Sequence, residues 1–168
     1  VQKTPFVVDL DATVRALDDF LPLDEGTCGP LAEQVRRLDC AAVLCDISPL
    51  GIAVARTAGL PSVLVENFTW DWIYEAYADR CPAMKPHVEG LARIFDRADI
   101  HIQAAPVCRP APVDLTVEPV SRAVRTDPVQ VRGQIDAPDG RPMVLISLGG
   151  VSQRAAYLER LSRRPDLF

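Results

Sequence analysis

Residues 41–77 read AAVLCDISPLGIAVARTAGLPSVLVENFTWDWIYEAY, and the alternation inside them sets the architecture. AAVLCD (41–46) is a short continuous apolar run ending in a carboxylate. Such a run is the pattern of a strand buried on both faces. SPLGIAVARTAGL (48–60) follows with helical character. Ser48 suits its cap, Pro49 its first turn and Gly59 its stop. SVLVEN (62–67) is a second buried strand, and TWDWIYEAYA (69–78) is an aromatic helix with Thr69 as its cap. Strands alternating with helices make β-α-β units, hence a parallel sheet with helices on its faces.

The same logic extends outward. On the N-terminal side, Leu10, Val14, Leu17 and Leu21 fall on one helical stripe within 9–21, with Asp9 or Asp11 available as a cap. Leu31, Val35 and Leu38 mark a helix over 29–39, with Pro30 at a plausible first helical position. On the C-terminal side, Val88, Leu91, Ile94 and Phe95 define a helix over 83–97, and DIHIQA (99–104) is a third strand. Residues 105–141 are rich in proline and read as connector, with VDLTVEP (113–119) as a candidate fourth strand and a short helix near 127–135. PMVLISLGG (142–150) reads as an apolar strand closed by two glycines, and 152–164 as a helix carrying Ala155, Leu158 and Leu161. The expected fold class is α/β: a Rossmann-like parallel sheet with flanking helices.

Composition bounds the function. The chain has 168 residues, 48% apolar and 24% charged, the profile of a globular domain. Its charge is 18 − 23 = −5, which disfavours a nucleic-acid surface, because phosphate binding wants clustered Lys and Arg. No apolar run approaches the roughly 20 residues needed to span a bilayer. The first residues lack the apolar core of a signal peptide, and there is no initiating Met. The five cysteines include no C-x-x-C pair. Cys40 and Cys45 read as buried thiols, and the pattern favours a reducing, cytoplasmic setting. His87 and His101 lack partners at ligand spacing, so neither a metal site nor a cofactor is expected.

In a parallel α/β sheet, ligands sit outside the carboxyl ends of the strands. That rule selects Asp46 and Ser48 after the first strand of the opening stretch. It selects Asn67, Trp70 and Asp71 after the second, and Gly149 and Gly150 after the last. Asp46 and Asp71 are the candidate general bases, each if burial raised its pKa. Ser48, Asn67 and Trp70 are the candidate substrate contacts, since an aromatic face stacks on a sugar ring or a base and the polar side chains can bond hydroxyls. Gly149 and Gly150 would let backbone N–H groups approach a phosphate. Each has a bland alternative: a capping network at Asp46–Ser48, packing of the aromatic helix, and a tight turn with Ser152 as cap at the glycines.

DISPLGIAVARTAGLPSVLVENFTWDWIYEAY (46–77), VCRPAPVDL (107–115), PVSRAVR (119–125) and VLISLGG (144–150), taken in order, carry a resemblance. Together they resemble GT-B type glycosyltransferases of the MurG-like and UDP-glycosyltransferase superfamily. The segment Asn67–Tyr74 is also similar to the N-F-[ST]-W-D-[FW]-I-Y stretch of a module fused to arabinokinase-type sugar kinases. The resemblance spans about 40–155. It implies two Rossmann-like domains facing a cleft. Residues 1–120 would be a partial N-terminal, acceptor-side domain, 121–141 the interdomain linker, and 142–168 the start of the nucleotide-sugar domain. It implies transfer of a sugar from a nucleotide sugar to a hydroxyl acceptor, with no resident metal. Asp46, Ser48, Asn67, Trp70 and Asp71 would form one cleft wall, and Gly149 and Gly150 the other. A starting strand with a glycine-rich turn is absent, as are the later nucleotide-binding strands. The chain is therefore expected to be a fragment, inactive alone.

Two rival expectations stand beside this one. The first is a non-catalytic sugar- or nucleotide-sensing or accessory domain. The second is a flavodoxin-like domain, which requires 142–148 to join the same sheet. Uncovered apolar faces and bare sheet edges would favour a homo-oligomer.

Overall fold

The structure, a computed structural model, describes residues 1–4, 7–138, 140–146, 156–161 and 163–168. It comprises two compact units, one of Leu10–Val120 and one of Val1–Asp9 with Ser121–Phe168. The second unit opens with a short antiparallel pair, β1 (Gln2–Thr4) and β2 (Val7–Val8).

The unit Leu10–Val120 holds the sheet. Helix α1 (Leu10–Phe20) buries Leu17, with Leu10, Val14 and Leu21 packed beside it, so the expected stripe is its core face. Helix α2 (Glu25–Arg37) begins four residues before the expected start at 29. Asp24 explains the difference: its side chain accepts from the Thr27 N–H at 2.9 Å and caps the helix there. Pro30 consequently lies inside the helix rather than at its first position.

Strand β3 (Val43–Asp46) leads into α3 (Pro49–Ala58), which ends at Gly59 in the left-handed conformation at φ 73°. Val54 of α3 packs on Cys28 and Ala32 of α2. Strand β4 (Ser62–Glu66) is followed by α4 (Trp70–Glu75), a 3-10 turn at Pro82–Met84 and α5 (Lys85–Phe95). Strands β5 (Ile100–Ala104) and β6 (Leu115–Val117) complete the sheet, and the candidate fourth strand is thus present.

All four strands are parallel, in the order β3-β4-β5-β6. This is a Rossmann-like α/β arrangement. The order never reverses, and parallel crossovers are right-handed. That handedness places α3 and the α4–α5 pair on the same face. Cys45 and Leu64 point to this face and meet Ile52, Met84, Leu91 and Phe95 in the main core. Alternation puts Leu44, Val63, Ile100 and Leu115 on the other face. There Leu44 is 72% exposed, Leu115 50% and Ile100 42%. The expectation of strands buried on both faces is therefore corrected: one-way strand order leaves one face without helices from this unit.

In the other unit, α6 (Pro128–Gln134) is capped by Asp127, whose side chain accepts from the Val129 N–H at 2.7 Å. Helix α7 (Ala156–Leu161) lies within the expected 152–164. Residues 142–146, expected as the start of a buried strand, join no sheet, and Leu145 is 89% exposed. Their backbone groups turn to the chain end instead: Val144 N–H donates to the Phe168 carbonyl, and Phe168 N–H to that of Pro142. The flavodoxin-like alternative, which needed this segment in the main sheet, loses support over these residues. Gly149 and Gly150 lie outside the described residues, as does Ser152.

Candidate functional site

The turn from β3 into α3 is the most constrained at the strand ends. Asp46 closes the strand, and Ile47 follows at φ 50°. A β-branched residue seldom adopts that left-handed conformation, which costs on the order of 1–3 kcal/mol. The Ile47 N–H is spent on the Val65 carbonyl at 3.1 Å. Ser48 Oγ accepts from the Gly51 N–H at 3.1 Å, so its hydroxyl serves as the helix cap. Gly51 is required by proximity: a Cβ there would stand 2.8 Å from Cys45 Sγ. The helix start is thus pressed onto a strand residue that is only 1% exposed. Burial pushes the Cys45 thiol up to about 11.

At the end of β4, the Asn67 carbonyl accepts from the Cys108 N–H at 2.8 Å, which ties the turn to the connector after β5. Asp46 and Asn67, with Leu44, Val65, Ala104 and Pro119, line an open cleft of about 550 Å³. Ligand sites commonly span about 300–1,000 Å³. Asp46 and Asn67 thus line one cleft, at the carboxyl ends of the strands.

Asp71 is elsewhere. It lines a second cavity of about 460 Å³ between the strand ends and α4–α5, together with Glu66, Glu75, Asp96, His101 and Arg109. Asp71 Oδ1 is buried there with no hydrogen-bond partner among the described residues. Leaving a buried acceptor unmet costs about 1–3 kcal/mol. Asp46 and Asp71 line different cavities, and Glu66 contributes to the wall of both. Trp70 stacks on Tyr74 at 5.9 Å and meets Phe68 edge-on at 5.4 Å. It keeps 38% of its surface exposed. Thr69 has the extended backbone of a cap residue, but its side chain makes no capping bond.

One polar network was not foreseen. The Glu66 side chain is 3% exposed, and its Oε1 is hydrogen-bonded with His101 Nε2 at 2.9 Å and accepts from Gln103 Nε2 at 2.8 Å. Gln103 Oε1 accepts from the Ala111 N–H, and Gln103 Nε2 also donates to the Arg109 carbonyl. The Arg109 side chain in turn reaches Glu75 at 3.3 Å. The signal in the sequence was the alternation of IHIQA, with His101 and Gln103 two apart on one strand face. Only the register, Leu64 beside His101 and Glu66 beside Gln103, shows that this face is the covered one.

Among the described residues no group of three His, Cys, Asp or Glu is placed to hold a metal ion, and no helix is long and apolar enough to cross a membrane. All five cysteines are free. No protein-family model, curated protein or solved structure matches the chain.

Proposed function

We propose that the chain is the acceptor-binding module of a glycosyltransferase-like protein. The observation that supports this reading best is the cleft at the carboxyl ends of β3–β6, where Asp46 and Asn67 share a wall beside the strained Ile47. Strain at such a turn marks a place where geometry is held for a purpose other than stability. In the proposed reaction Asp46 takes the proton of an acceptor hydroxyl. That oxygen bonds to the anomeric carbon of the donor, the bond from that carbon to the diphosphate breaks, and the nucleoside diphosphate leaves with the electron pair. Asn67 orients the acceptor, and Trp70 offers a sugar-stacking surface.

The test is calorimetric titration of the chain with a panel of monosaccharides, UDP-sugars and TDP-sugars, repeated with Asp46→Asn and Asn67→Ala. Binding of a hydroxyl-rich ligand, lost in Asn67→Ala, supports the reading. Absence of heat for every ligand sinks it. A second reading, sensing without transfer, draws on the separation of Asp46 and Asp71 into different cavities. It predicts binding with no nucleoside diphosphate released when donor and acceptor are both supplied to the chain joined to a complete nucleotide-sugar domain, where the first reading predicts release.

Self-association through the bare sheet face belongs to the same proposal, and size limits its strength. Four strands about 4.8 Å apart and about four residues long, at about 3.3 Å each, present roughly 250 Å². A stable interface needs about 800 Å² per partner. Light scattering is therefore expected to show a monomer at low concentration and dimers only as concentration rises.

A further inference from the structure

Helix α5 separates two cavities of opposite charge. On one side lies the acidic cavity described above, to which α5 gives Glu89 and Asp96. On the other, α5, α3 and the connector Leu21–Leu23 enclose a groove of about 570 Å³. Its apolar floor includes Leu21, Ile52 and Ile94, and its rim carries Arg56, Arg93 and Arg97. No carboxylate lines it, although the chain carries a net charge of −5. The groove shares no lining residue with the strand-end cleft.

The surrounding charges do not cancel these arginines. His87, also in the lining, is held by Asp18 at 3.1 Å. Arg93 has an exposed partner in Glu89 at 3.9 Å, a pair worth well under about 1 kcal/mol. Asp99 lies within the field of Arg56, but its carboxylate is already hydrogen-bonded by the Ser62 N–H and hydroxyl. The Arg97 side chain has no ion pair or hydrogen bond among the described residues. Helix dipoles account for part of the pattern, since Arg56 and Arg93 sit in the last turns of their helices. They do not account for the convergence. Arg93 lies in the last turn of α5 and Arg97 in the turn just after it, and both line the groove, where like charges repel. Arg56 lines the same groove, together with Leu21, Ile52 and Ile94.

We propose that this groove is a binding site for a phosphate-bearing molecule with a compact apolar or planar body. Guanidinium forks match phosphate oxygens two at a time, and three of them suit a doubly charged head. The floor of Leu21, Ile52 and Ile94 receives the body, and the volume fits a molecule of nucleotide or alkyl-phosphate size.

The experiment titrates the whole chain with inorganic phosphate, hexyl phosphate and ADP, followed by NMR shifts at low and moderate salt. Hexyl phosphate or ADP is expected to bind at least fivefold tighter than inorganic phosphate, and to weaken as salt rises. Arg56→Gln combined with Arg97→Gln is expected to lower that affinity at least tenfold. Both arginines are exposed, so the unfolding midpoint should hold and a folding defect is separable. Asp46→Asn, in the strand-end cleft, should leave it unchanged, so this site and the proposed acceptor site succeed or fail independently. Preference for hexyl phosphate assigns an aliphatic body, and preference for ADP a planar one. No binding of any probe, equal binding of all three, or binding insensitive to the arginine substitutions would each overturn the proposal.

Discussion

The two faces of the four-stranded sheet are built from the same strands, residue by alternate residue, and differ in almost every other respect. One face carries Cys45 and Leu64 under three helices and hides the Glu66–His101–Gln103 network. The other presents Leu44, Ile100 and Leu115 largely to solvent. The cause is connectivity rather than composition, because the covered face is the more polar one, with Ser62, Glu66, His101 and Gln103, and the bare face carries Val63, Val65, Ile100 and Ile102. A sheet that grows in one direction with right-handed crossovers receives all its helices on one side. Stability is concentrated on that side, and the strand-end cleft opens where Leu44 and Asp46 border the other.

The largest expected contrast is between two leucines one residue position apart in register. Leu64→Ala should cost about 3 kcal/mol in urea unfolding, because it leaves a cavity in a filled core. Leu44→Ala should change stability by less than about 0.5 kcal/mol. Equal costs would break the comparison. Next comes His101→Ala, which leaves the buried Glu66 without its histidine partner and should cost about 2 kcal/mol. Replacing both residues with leucine should recover most of that loss, since the pair is weak evidence for stability when an apolar pair fits. Gly51→Ala should cost about 1–2 kcal/mol, as the new methyl meets Cys45 Sγ with no room to yield.

The smallest effect concerns acid. The Asp99 carboxyl is held below its ordinary value, first by the Ser62 N–H and then by the Ser62 hydroxyl. A carboxyl lowered by folding contributes stability fully above its unfolded pKa of about 3.9 and loses it as pH falls through the lower folded value. Ser62→Ala removes the hydroxyl bond. The acid unfolding midpoint should then move to higher pH, while stability near pH 7 drops less than for Gly51→Ala.

Local signals in the sequence carried most of the sheet. The runs ending at Asp46, Asn67 and Ala104 became strands, and Ser48 and Gly59 bounded α3 as expected. Asp46 and Asn67 could be placed at a cleft because the carboxyl-end rule needs only position along a strand. What escaped was set by distance in the chain. His101 reaches Glu66 across 35 residues, and only the strand register brings them together. The bare face depends on strand order, which no run of residues encodes. Strands β1 and β2 have three and two residues, too few for any alternation to show. Asp71 was expected beside Asp46, but α4 packs against α5 and carries it over the covered face.

The one-way strand order also bears on how the sheet is assembled. Every strand from β4 to β6 lies beside the strand made just before it. No strand pairs with one made later than its own successor, so each pairing closes one connection, the longest being the α4–α5 crossover between β4 and β5. In chain order, β3 and β4 with α3 between them precede β5, and β5 precedes β6, so each strand is synthesised after the neighbour it pairs with. The sheet is a structure that lengthens by addition at one side, in the order of synthesis.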